Sequence, residues 1–141
     1  MAKAKQPAVP PVQAIMAASW RQEPAKHDYP AAGNYLGLIA DPALVKQIIA
    51  GLQKQPVTQH RANDILRAAN LNLLSLDDAS VRRDLSKLIA GEQWAPVLLV
   101  RGDVQRGLPL TIADGYHRVC ASYHLSEDTP VPCQMLDLPL Q

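Results

Sequence analysis

The stretch from Ala95 to Leu125 constrains this chain more than any other. APVLLVR is a Pro-led run rich in aliphatic residues, GDVQRG is polar and bounded by glycines, and LPLTIA returns as a second apolar run. Two short apolar runs around such a loop predict a β-hairpin. ADGYHRVCASYHL follows directly, and in it Tyr116, Val119, Cys120 and Tyr123 recur at helical spacing, so a core-facing helix is expected to start straight from the second strand. A hairpin that runs into a helix start belongs to an α/β chain.

The flanking segments extend this grammar. Asp77 or Asp78 is placed to cap a helix carrying Val81, Leu85, Leu88 and Ile89 on one face, with Gly91 as its stop. NDILRA (63–68) reads as a short opening strand, and TPVPCQML (129–136) as a last strand that its prolines demote to an edge. Farther upstream, Asp41 and Pro42 suit an N-cap and first helical position, and Leu44, Val45, Ile48, Ile49 and Leu52 form an apolar face. RQEPAKHDYPAAGNYLGLIA (21–40), broken by prolines and glycines, reads as a loop, and a short helix is expected around 12–20. The expected organisation is a disordered leader over 1–11, a helical N-terminal extension over 12–59 that covers the module or builds a homodimer through its helices, and an α/β domain over 60–141.

With 141 residues the chain suits one ordinary domain. A net charge of +1 and 4% aromatic residues supply neither the basic stripe nor the stacking platform of a nucleic-acid binder. Cys120 and Cys133 have no metal-type spacing. Prolines interrupt the apolar stretch after Lys3 and Lys5, which argues against a signal peptide or a membrane span, so the expected location is cytoplasmic.

The chemistry concentrates at Asp114-Gly115-Tyr116-His117-Arg118. A helix start offers amides without intrahelical partners and the positive end of the dipole, so it attracts anions. Gly115 lets backbone approach closely, His117 adds a donor, and Arg118 offers a planar fork to phosphate oxygens. A second reading needs no ligand: Asp114 caps the helix and forms a surface ion pair with Arg118 at i,i+4, worth a few tenths of a kcal/mol. His117 and His124 stand two helical turns apart, too far to share one metal. His27-Asp28 and Asp77-Asp78 read as a loop dipeptide and a helix cap.

Residues 60–137 resemble the ParB/sulfiredoxin superfamily. The likeness rests on an ILR-type opening strand, a capped helix ending in Gly, a PVLLV-type strand, and the DGYHR turn, which is similar to the DGHHR turn of ParB-like nuclease domains and the Gly-Cys-His-Arg turn of sulfiredoxins. It implies a small mixed sheet with packed helices. It further implies that Gly115, Tyr116, His117 and Arg118 bind the phosphates of a nucleotide such as ATP, ADP or CTP with Mg²⁺, and that Arg67 makes a second contact from its strand; Asp114, the carboxylate adjacent to the turn, is the candidate for any catalysis. Tyr116 occupies the position of the reactive sulfiredoxin cysteine, which argues against sulfinic acid reduction. A nuclease or nucleic-acid-binding domain and a non-catalytic protein-interaction module are the alternatives.

Overall fold

The computed structural model describes residues 19–139. The expected leader and most of the expected helix at 12–20 therefore lie outside the described residues. The described chain is mixed α/β. In order it forms α1 (Asp28–Leu36), α2 (Pro42–Gln53), β1 (Val57–Arg61), α3 (Ala62–Ala69), α4 (Ala79–Ile89), β2 (Val97–Val100), β3 (Thr111–Asp114), α5 (Tyr116–Leu125) and β4 (Pro130–Leu136). The sheet order is β1-β4-β2-β3, with β4 antiparallel to β1 and parallel to β2, and β2 antiparallel to β3.

β2 explains the layering. All four residues of VLLV are buried, because helices cover both faces of the sheet. Val97 and Leu99 point into a core shared with Ile65 and Leu66 of α3, Val81 of α4, and Val119 and Cys120 of α5. Leu98 and Val100 point the other way, onto Ala32 and Leu36 of α1 and Ile48 and Leu52 of α2. The alternation is the two-residue period of a strand. Leu52 and Leu98 are fully buried, and each such side chain contributes about 1.5–3 kcal/mol. The N-terminal helices thus lay their apolar face on the sheet, which is the covering role. The expected boundary between 59 and 60 falls inside β1.

Local signals explain the elements read correctly. The Asp41 carboxylate accepts from Leu44 N–H at 2.9 Å and Pro42 opens α2. Asp78, rather than Asp77, caps α4, accepting from Ser80 and Val81 N–H at 3.0 Å. At the hairpin tip Asp103 and Leu108 exchange backbone bonds of 2.9 Å. Ile89, expected on the buried face of α4, is instead exposed at its last turn.

Four expectations are corrected. Residues 63–68 are helical and belong to α3, which closes at Asn70 in the left-handed conformation. The opening strand is β1, which ends before that segment begins. Residues 28–36 are helix α1, where Pro30 sits in the first turn, a place that has no use for its missing N–H. Finally, β4 is an interior strand. Its prolines are accommodated because pairing with β2 begins only at Cys133, so Pro130 and Pro132 lie beyond the end of β2.

Candidate functional site

β3 ends at Asp114, Gly115 turns the chain, and α5 begins at Tyr116. Gly115 has φ 106°, a left-handed value that side chains disfavour. A Cβ there would stand 2.8 Å from Val97 Cβ and closer still to its Cγ1, so strand and helix start meet with no room for a side chain. Among the described residues no side chain caps α5. The reading in which Asp114 caps this helix is therefore corrected.

Asp114 is instead bound to Arg118, through Oδ2 and Nη2. Arg118 Nη1 donates to Ala95 O at 2.6 Å, to Asp28 Oδ2 at 3.3 Å and to Pro96 O at 3.4 Å. These are not surface contacts. The Arg118, Asp28 and Asp114 side chains are 14%, 7% and 19% exposed. One guanidinium thus fastens α5, the end of β3, the approach to β2 and the start of α1. Asp28 also accepts from Ala25 N–H at 3.3 Å and lies 3.3 Å from the exposed His27 ring.

A cleft of about 370 Å³ opens beside this network. Its wall carries Arg21, Arg83, Lys87 and His117 as well as Arg118, and Asp28, Asp84 and Asp114 stand among them. Arg118 is engaged by protein acceptors and Lys87 Nζ lies 3.9 Å from Asp84 Oδ1, while Arg21, Arg83, His27 and His117 complete the basic side of the wall. Arg83, Asp84 and Lys87 come from the polar side of α4, whose spacing places them on adjoining turns. Desolvation by burial pushes the Asp84 carboxyl above its usual range, against the pull of Lys87, Arg118, His117 and Arg83. Burial likewise raises Asp114, opposed by Arg118 and reinforced by Asp28.

The structure gathers Asp114, Gly115, His117 and Arg118 at the cleft and leaves two expected residues elsewhere. Tyr116 turns to the core side, where its hydroxyl donates to Asn72 O. Arg67 lies on α3 with its side chain 75% exposed, 3.9 Å from Asp64, beside a different pocket lined by Asn63, Asn70 and Tyr123. Its expected place on a strand end facing the turn is corrected, because 63–68 is helical. Arg83, Asp84 and Lys87 were not singled out from the sequence, and Asp28, expected in a loop dipeptide with His27, instead starts α1 and is buried. The α4 trio has a readable signal in its charged helical face, whereas nothing local marks Asp28 as buried.

Other expectations concern metals and thiols. Among the described residues no group of three or more His, Cys, Asp or Glu is arranged to hold a metal ion. Asp114, the carboxylate expected to serve any Mg²⁺-dependent step, is committed to Arg118. His124 meets Leu74 O at 2.6 Å, away from His117 at the cleft. No described helix is long and apolar enough to cross a membrane. Cys120 and Cys133 are fully buried, and burial pushes both thiols up. In the native protein both will react with a thiol reagent at least about 100-fold more slowly than in the denatured chain. Rapid native labelling of Cys120, followed by mass spectrometry, would contradict this.

Comparison with protein-family models, with curated proteins and with solved structures found no match.

Proposed function

We propose that the protein binds a phosphorylated small ligand, a nucleotide such as ATP, ADP or CTP, in the cleft beside the Asp114–Arg118 turn. The observation that carries this reading is the uncapped start of α5 opening onto a cleft walled by Arg21, Arg83, Lys87 and His117. A helix start and several basic side chains around one concavity suit an anion, and about 370 Å³ lies within the range of small-molecule pockets. The resemblance of residues 60–137 to the ParB/sulfiredoxin superfamily points the same way. Counted from β1, two helices rather than one precede the hairpin, after which the hairpin, helix and last strand follow in the expected order. Arg118 serves here as the fastener that holds the turn, and the α4 cations with His117 hold the phosphates.

Both tryptophans adjoin this region, Trp94 in the cleft wall and Trp20 packed on it with ring centroids 5.3 Å apart. Their fluorescence, together with thermal shifts against ATP, ADP, CTP and inorganic phosphate, is the direct test. The expected result is a ligand-dependent rise in melting temperature that the Arg83→Ala/Lys87→Ala double variant loses, its affinity falling at least about tenfold, or 1.4 kcal/mol. The unliganded melting temperature should barely change, since both side chains are at the surface. The absence of a response to every nucleotide and to phosphate would sink the reading.

Asp84 supplies a pH signature. Its raised pKa means that, as pH falls from neutrality, it takes up a proton sooner than an ordinary carboxylate, removing a negative charge from the cleft. Sulfate affinity should therefore rise on acidification more steeply in wild type than in Asp84→Asn, and the variant should bind sulfate more tightly at pH 7. Parallel pH profiles for the two proteins would show that Asp84 does not face the anion.

A further inference from the structure

β1 is an outer strand of the sheet, and its other edge, which pairs with no strand among the described residues, is complementary to itself. Ala62 N–H bonds inward to Thr129 O at 2.9 Å. Because successive strand residues turn their amides to opposite sides, His60 and Thr58 also face β4, while Arg61, Gln59 and Val57 turn N–H and C=O outward. The partners agree. Arg61 and Gln59 stand opposite Pro130 and Pro132, which have no N–H to offer. The side chains follow the same parity: Thr58 Oγ1 lies 3.6 Å from Cys133 Sγ on one face of the sheet.

Edges are ordinarily guarded by proline, lysine, a bulge or brevity. VTQHR has no proline or lysine, its register with β4 is unbroken, and all five residues are exposed. Among the described residues β1 packs chiefly on β4 and α3. The opposite edge, β3, is shorter and has α1 packed against it.

We propose that β1 pairs antiparallel with β1 of a second copy of this chain, about a twofold axis at Gln59, joining the two sheets into one. Gln59 then stands opposite its counterpart and Val57 opposite Arg61, each pair exchanging two backbone hydrogen bonds, because these are the outward-facing residues. Thr58 stands opposite His60 on the other parity. Charge suits this register. Arg61 is already held by Asp64 and Asp128, each at 2.9 Å, the two Arg61 residues lie at opposite ends of the ladder, and the strand contains no carboxylate. A five-residue strand addition is a small interface, so the dimer belongs to the weak, reversible class.

Amide hydrogen exchange and sedimentation equilibrium on the full chain at about 0.05 and 1 mM test this. Exchange at Gln59 and Arg61 should slow at least about fivefold at the higher concentration, while Thr58 and His60, bonded within one copy, exchange alike at both. Gln59→Lys sets like charges opposite each other at the axis, and Gln59→Pro removes an outward amide without touching the β4 ladder. Both variants should sediment as monomers where the wild type is dimeric and should keep its melting temperature at the lower concentration. Three results would overturn the proposal: a wild type that stays monomeric throughout, a dimer that survives both variants and so uses another surface such as exposed Leu38 and Ile39, or protection of Gln59 and Arg61 that is independent of concentration.

Discussion

Arg118→Ala is expected to destabilise the protein by about 3–5 kcal/mol, because removing one member of a buried ionic network leaves the others uncompensated. For a chain of this size the melting temperature falls by roughly 10–15 °C. The loss has three sources. Asp28 and Asp114 are left close together without a cation between them, Ala95 O loses its donor, and α5 is no longer tied to α1. The pH dependence of the variant follows from the raised pKa of Asp114. A carboxyl that holds its proton more tightly in the folded than in the unfolded state makes stability fall as pH rises through its folded pKa. Without Arg118, which pulls that pKa down, the effect grows. Chemical denaturation should therefore show a smaller gap between wild type and variant at pH 5 than at pH 8. A loss below about 1 kcal/mol at both pH values would mean that the pair behaves as an exposed ion pair.

Gly115→Ala is the second large effect, about 3 kcal/mol, combining a left-handed backbone value that alanine disfavours with a collision against buried Val97. Val97 is fully buried between the sheet and α5 and has nowhere to move. Gly91→Ala separates the two contributions. Gly91 has φ 83°, but a Cβ added there would meet nothing within 4 Å, so only the backbone strain remains, about 1 kcal/mol. Equal losses from the two substitutions in urea titrations would show that the contact with Val97 yields without cost. Gly115→Ala should also abolish the nucleotide response in whatever fraction stays folded, because it displaces the start of α5.

The sequence announced the parts of the fold that are decided locally. The β2–β3 hairpin was legible because apolar runs flank a Gly-bounded loop, and α2 and α4 because an aspartate stands before a periodic apolar face. α1 was not, since Pro30 and Gly33 are loop signals that packing against β3 and α2 overrides. β1 went unread and α3 reads as a strand for a related reason. VTQHR is exposed at every position and shows no alternation, whereas the apolar pair Ile65 and Leu66 in an eight-residue helix imitates a strand. At the site, the turn could be read from its glycine, histidine and arginine. The employment of Arg118 could not, because Asp28 meets it from 90 residues away. That contact is a product of α1 folding over the sheet, and no short window contains both partners.

The strand order also bears on how the chain acquires its structure in time. β4 comes after the other three strands in sequence, yet it lies between β1 and β2. A growing chain that has reached Leu125 contains every described helix but only the β2–β3 hairpin, and β1 has nothing to pair with. The ladder between Val57 and Gln134 closes a loop of nearly eighty residues, so the entropy of that closure must be met in one late event. Completion of the sheet thus waits for Pro130–Leu136, which join β1 to β2.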